Sequence, residues 1–370
     1  MRRLRALTIA PVLALGLVTT GSTAAPAAAC QDWGAQPIPV AASGTIPAAV
    51  DGGGPCDVWL AGYSNDGSSD HVLLEHSNGT AWSIAPTPDL GVPARLTGVA
   101  VVSPKLAWAV GFTEGPVPRT LILHWNGIGW IRVPSPNVGA PSNVLYGVTA
   151  TSRDDAWAVG THAIGSTIST RPLILHWNGK HWSIVGSHVA HGVLLGVTAT
   201  SPTNAWAVGF GASFSSPLIV HWNGRAWKPQ PTTSSGALSA VSGRSASSAW
   251  AVGTRQTSGA PVAVILHWDG KAWKIQHAPP SPAGEQLNGV AAVGGGAVAV
   301  GALGTAGGNT FVLRSVNGHW RREPSANPDG IAGTNILSAA ATVAPGQVWT
   351  VGSFGHPYPD AAAPLAFHCC

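Results

Sequence analysis

The stretch "PLILHWNGKHWSIV" (residues 172–185) sets two tryptophans around an Asn-Gly dipeptide and flanks them with apolar runs. Asn-Gly between two such runs is the strongest short hairpin signal, because a type I′ turn needs positive φ at both central residues. Close copies recur as "LEHSNGTAW" (74–82), "LHWNGIGW" (123–130), "VHWNGRAW" (220–227), "LHWDGKAW" (266–273) and "RSVNGHW" (314–320). A second motif, "WAVG" or a near copy, precedes each of them. It stands at Trp59, Trp108, Trp157, Trp206 and Trp250, continues with Val298 in the tryptophan place, and ends at Trp349. The seven copies are 49, 49, 49, 44, 48 and 51 residues apart. An "L-x-G-V-x-A-x-S" segment starts ahead of most of them, as at Leu96, Leu145 and Leu194.

Each repeat therefore reads as four short strands, as in "GVTAT", "AWAVG", "PLILHW" and "HWSIV". Periods of 40 to 50 residues with four strands each are the signature of propeller blades. The expected fold is all-β, a seven-bladed β-propeller of four-stranded antiparallel blades over residues 30–370. The seventh copy stops at "PLAFHCC", where Pro364, Leu365, Phe367 and His368 match Pro172, Leu173, Leu175 and His176. It thus has three strands. Trp33 in "DWGAQPIPV" begins a segment like "HWSIVGSHV", which predicts that the N-terminal strand completes the last blade and removes an exposed edge. "GVTAT" is then innermost, where Gly, Ala and Thr suit a crowded wall.

These repeats resemble Trp-rich β-propeller repeats of secreted bacterial proteins and, at fold level, kelch and Asp-box propellers. "HWNGKHW" is one residue shorter than the Asp-box pattern and lacks its Ser and Asp, so no sialidase-like activity is carried over. The kelch double glycine is absent apart from "GGG" at 52–54 and 294–296.

Residues 1–29 combine a basic start, "MRRLR", with an apolar run and a small-residue stretch, which reads as a secretory signal peptide. Its removal takes away Arg2, Arg3 and Arg5 and leaves 16 basic against 15 acidic residues. That balance argues against a nucleic-acid partner. No second apolar run reaches membrane length, so a secreted, monomeric protein is expected. A lipid anchor on Cys30 is the alternative, although "AAAC" lacks the large aliphatic residue of a lipobox. Four cysteines in an exported chain favour two disulfides among Cys30, Cys56, Cys369 and Cys370, joining the termini.

Histidine recurs at 76, 124, 176, 221, 267 and 368, in different blades and away from the axis, which predicts a structural role rather than a metal ring. The periodic tryptophans are expected to pack blade on blade. Function should then lie where the repeats differ. The two-three and four-one loops share one face of the disc and are the long, varied ones. "GYSNDGSSDH" (62–71) and "GSFGHPYPD" (352–360) bring Tyr63, Asp66, Asp70, His356, Tyr358 and Asp360 together as the candidate ligand patch. "NDGSSD" is oxygen-rich but does not follow calcium-loop spacing, so calcium is a minor option and no cofactor is expected. The leading functional reading is a non-catalytic module that binds a glycan, a cell-envelope polymer or an extracellular protein. The alternatives are a hydrolase or lyase acting on polysaccharide, for which no carboxylate pair stands out, and a purely structural protein.

Overall fold

A computed structural model describes residues 33–41, 44–139, 141–165, 169–304, 308–328, 330, 334–355 and 362–369. Seven four-stranded antiparallel sheets form the blades of a closed ring. Blade one comprises Gly44–Gly54, Asp57–Asn65, Asp70–Ser77 and Trp82–Ile84, ordered from the axis outward. Blade seven takes Thr334–Ala344, Gln347–Gly355 and Ala363–Cys369 from the end of the chain and Gly34–Gln36 from its start. Gly34 lies opposite His368, as Ser83 lies opposite His76 in blade one, so Trp33 occupies the outer-strand tryptophan position. The predicted closure by the N-terminal strand is present, in the expected register.

The inner strands carry the ring. Opposite the glycine of each "WAVG" motif the inner strand bulges, for example between Leu145 and Gly147. The bulge pushes a carbonyl at the neighbouring strand, and a Cβ on Gly160 would overlap the carbonyl oxygen of Val144. The same conflict holds at Gly62, Gly111, Gly209, Gly253, Gly301 and Gly352, so the motif's glycine answers a close backbone approach. Inner strands of adjacent blades also crowd each other. An added Cβ on Gly98 would come within 3.1 Å of the Tyr146 carbonyl oxygen in the next blade. The small polar residue of "GVTAT" uses that proximity: Thr149, Thr198 and Ser242 accept hydrogen bonds from the amides of Ala199, Gly243 and Ala292 one blade on.

The core is divided among the blade junctions. At six of them the strand-two tryptophan meets the outer-strand tryptophan of the next blade edge to face. The pairs Trp59–Trp130, Trp108–Trp182, Trp157–Trp227, Trp206–Trp273, Trp250–Trp320 and Trp349–Trp82 have ring centroids 5.1–5.4 Å apart. Each such pair adds about 0.5–1.5 kcal/mol beyond the area it buries. At the remaining junction Val298 replaces the indole and Trp33 packs on its cluster. Tryptophan is thus the inter-blade packing unit, as its periodicity implied.

The hairpin expectation needs correction. A two-residue turn with positive φ at both central residues occurs in blade six alone among the described hairpins of this kind, at Asn317 (53°) and Gly318 (80°). In the other copies two residues follow the glycine before tryptophan, and the loop is four residues long, with Trp177 opposite Trp182. There only the glycine has positive φ, 87° at Gly179. The Asn178 side-chain carbonyl instead accepts from the amides of Lys180 and His181, both at 3.1 Å. Asp269 does the same for Lys271 and Ala272, which explains why Asn and Asp interchange here.

Candidate functional site

The repeated histidines are structural. Each lies on the strand-two tryptophan of its own blade, with centroids 4.0–4.6 Å apart. His76, His176 and His221 are further tied to Asp57, Asp155 and Asn204 at 3.0, 2.7 and 2.8 Å. Burial holds His124, His221, His267 and His368 below the usual imidazole pKa, which favours their neutral form. Among the described residues no group of three or more His, Cys, Asp or Glu could hold a metal ion.

The cysteines depart from the two-bridge expectation. Cys56 is a free, exposed thiol. It sits at the tip of the one-two hairpin of blade one, with its sulfur 2.9 Å from where a Cβ on Gly79 would stand. Cys369 is disulfide-bonded, and Cys30 and Cys370 lie outside the described residues. Cys56, being free, takes part in no bridge.

The ligand patch expected on the varied-loop face divides in two. His356, Tyr358 and Asp360 lie outside the described residues. Tyr63, Asp66 and Asp70 do gather at the junction of blades one and two, but with distinct tasks. Asp66 organises its own loop: its carboxylate accepts from the hydroxyl and amide of Ser68, then from His71 Nε2 at 2.9 Å and the Ser69 amide. Those bonds hold its pKa well below the usual carboxylate range. Asp70 is only 2% exposed and is an anchor rather than an open ligand. It accepts from Asn65 Nδ2 at 2.5 Å and pairs with Arg95 Nε.

Arg95 is the residue that sequence reading passed over. It stands at the start of the inner strand of blade two and reaches back across the junction. Its Nε also pairs with Glu114 Oε1 at 2.7 Å, and its guanidinium carbon lies 4.5 Å from the Tyr63 ring centre. Burial raises the pKa of Tyr63 and of Glu114, so both titrate later than in water. The available signal was a lone charge at a position where the other repeats carry Ile46, Val144, Val193, Ala237, Gln286 or Ile336.

Beside this cluster opens a cavity of about 430 Å³, walled by His71 and Val72 on one side and by Leu90, Val92 and Pro93 on the other. The four-one connector supplies the second wall, and Leu90 anchors it in the junction core. Asp89 lines the cavity and Asp66 borders it through its contact with His71, while Asp70 and Glu114 beside it are both paired with Arg95. The arrangement offers a cleft of mixed polar and apolar lining with Asp66 and Asp89 at its rim, beside a partly buried ion-pair cluster.

Fold and cleft together define the class: a seven-bladed β-propeller with a cleft over blades one and two. No protein-family model matches the chain, and no curated protein does. Among solved structures it is similar to YCF48 bound to D1 peptide, at a TM-score of 0.60 and 18% identity, over 93% of this chain and 99% of that one. It is also similar to YCF48 from Cyanidioschyzon merolae, at a TM-score of 0.56 and 16% identity, over 90% and 98% of the two chains. At such identities the likeness is one of fold.

Proposed function

We propose that this chain is a non-catalytic binding module that holds an extended segment of a protein partner on the varied-loop face, over blades one and two. The observation that carries the reading is the cleft of His71, Val72, Asp89, Leu90, Val92 and Pro93 lying against the Asp70–Arg95–Glu114 cluster. A cleft of that size suits one or two apolar side chains, and the acidic rim suits lysine or arginine beside them. YCF48, the structural neighbour, is a propeller bound to a peptide, which agrees with the class of partner.

A peptide is favoured over a glycan because sugar sites depend on open aromatic faces. Here the indoles are spent between blades and the Tyr63 ring is covered by Arg95. Hydrolysis is disfavoured because Asp70 and Glu114 are both engaged by one arginine, which leaves no acid and base facing each other across the cleft. We also read residues 1–29 as an export signal, so that the partner is extracellular. Intact-mass analysis of the exported chain tests that point, with an N-terminus at Cys30 expected.

The binding test is an array of basic, apolar peptides probed with the wild type and with a H71A/V92D variant. Saturable binding, weakened by salt and reduced at least about tenfold in the variant, is expected. Binding that is indifferent to both overturns the reading.

A further inference from the structure

The outer rim holds a second cavity, at the junction where the ring closes. In blades two to five, strand three ends in Trp125, Trp177, Trp222 and Trp268. Each of these rings lies 4.8–4.9 Å from the strand-two tryptophan of the preceding blade. Each indole Nε1 donates to a backbone carbonyl in the one-two hairpin of its own blade, Trp125 to Pro104 at 3.0 Å for example. Blade one breaks the pattern. Ser77 stands opposite Trp82 where Trp125 stands opposite Trp130. Trp349 of blade seven therefore keeps its edge contact with Trp82 but has no second indole against it.

A cavity of about 430 Å³ occupies that place, lined by Ser77, Trp82, Trp349 and His368. Gln36, Pro37 and Ile38 of the N-terminal arm run along its other side, and Ile38 packs on the same cluster as the two tryptophans. The polar fittings of the sibling blades are kept. Pro55 holds the hairpin position of Pro104, and its carbonyl oxygen lies 3.2 Å from where a Cβ on Gly79, a wall residue, would stand. His368 Nε2 is buried and without a hydrogen-bond partner among the described residues. Blade six repeats the substitution with Ser315 opposite Trp320, and there too a cavity opens, of about 340 Å³, against Gly318, His319 and Trp320. Trp250 does not line that second cavity, whereas Trp349, stacked on His368, lines the one at the closing junction.

We infer that the cavity between blades seven and one is a binding site for an aromatic ring, the indole side chain of a protein partner, which completes the tryptophan stack that Ser77 leaves open. The site continues an interface that four other junctions show occupied by indole in the same setting. The chain's own N-terminal residues cannot fill it with a ring, because residues 1–32 contain no Phe, Tyr, Trp or His. The site lies on the outer rim, apart from the cleft over blades one and two, and does not depend on the function proposed for that cleft.

The test is ligand-observed saturation-transfer NMR on the full chain with N-acetyl-tryptophanamide, using N-acetyl-leucinamide as the control. Transfer to the indole protons alone is expected. Ser77→Trp should weaken it at least about tenfold, while Ser315→Trp leaves it within about twofold. The S77W chain should melt no lower than the wild type, since four blades already carry that residue. Equal transfer to both probes, or transfer unchanged in S77W, overturns the site. Should S77W not fold, a crystal of the wild type soaked with 5-bromotryptophan amide decides. An anomalous peak against Trp349 supports the inference, and a map with no peak there overturns it.

Discussion

Trp349, near the end of the chain, meets Trp82, in its first blade, edge to face with ring centroids 5.2 Å apart and planes at 85°. The geometry matches Trp157 on Trp227, at 5.1 Å and 87°, in a junction formed by consecutive segments. Ring closure is thus made with the same contact as internal propagation, although it joins the two ends of the sequence. Trp82→Ala and Trp227→Ala should therefore cost alike, about 3–5 kcal/mol each, since both remove a nearly buried indole from a packed junction. Chemical denaturation of the two variants measures this. A closing-junction variant that loses under about 1 kcal/mol beside a costly internal one would show the seam to be looser than its geometry.

Glu75 makes the same seam sensitive to pH. It sits where the other blades carry Leu123, Leu175, Val220, Leu266, Leu313 and Phe367, residues that pack on the preceding blade. It is 0% exposed, neither carboxyl oxygen has a hydrogen-bond partner among the described residues, and burial pushes its pKa up to about 8. The folded state therefore holds Glu75 protonated at neutral pH, while the unfolded chain releases that proton above about pH 4.5. A folded pKa above the unfolded one gives a contribution that is complete below about pH 4.5 and fades as pH rises towards 8. The loss is on the order of 5 kcal/mol. Glu75→Leu should remove this slope and raise stability at pH 8, in denaturation curves collected from pH 4 to 9. A wild type with flat stability over that range contradicts the assignment.

The glycine of "WAVG" offers a cleaner backbone test. A Cβ on Gly160 would strike the carbonyl of Val144 and come within 2.8 Å of Leu145 Cα, neither of which can turn away. Gly129, by contrast, has nothing within 4 Å of its Cβ position. Gly160→Ala should cost at least about 1–3 kcal/mol or prevent folding, and Gly129→Ala should stay within about 0.5 kcal/mol. Paired melting curves decide it, and similar melting temperatures for the two would refute the close-approach account.

How far the sequence reaches is visible in these residues. Blade number, strand order and closure are legible because they follow from periodicity: "PLAFHCC" aligns with "PLILHW", and Trp33 supplies the missing strand's tryptophan. The Arg95 cluster is not, because Asp70 and Arg95 belong to different blades and become neighbours only through the angle between them. Periodicity speaks for what repeats, and that ion pair occurs once. The seam cavity lies between these cases. Its signal is the serine in "LEHSNG" where "LHWNG" has tryptophan, but a missing side chain becomes a cavity only once the stack around it is known. Cys56 escaped for the opposite reason, since an even cysteine count suggested a pairing that this free, exposed thiol does not make.

The Asn-Gly turns carry the last prediction. Asn178 holds its loop through its side-chain carbonyl, with two amides bound at 3.1 Å, while Asn317 sits at φ 53° in a two-residue turn. The same dipeptide thus does two jobs, set by whether one or two residues separate glycine from tryptophan. Asn178→Asp should be tolerated, because Asp269 already binds its two amides at 2.9 Å. Asn178→Gly should cost about 1 kcal/mol through the lost hydrogen bonds. Asn317→Gly should cost less or nothing, because glycine accepts positive φ without strain. Thermal unfolding of the three variants checks the order. If Asn317→Gly proved the most damaging of the three, the division between side-chain-capped and positive-φ turns would fail.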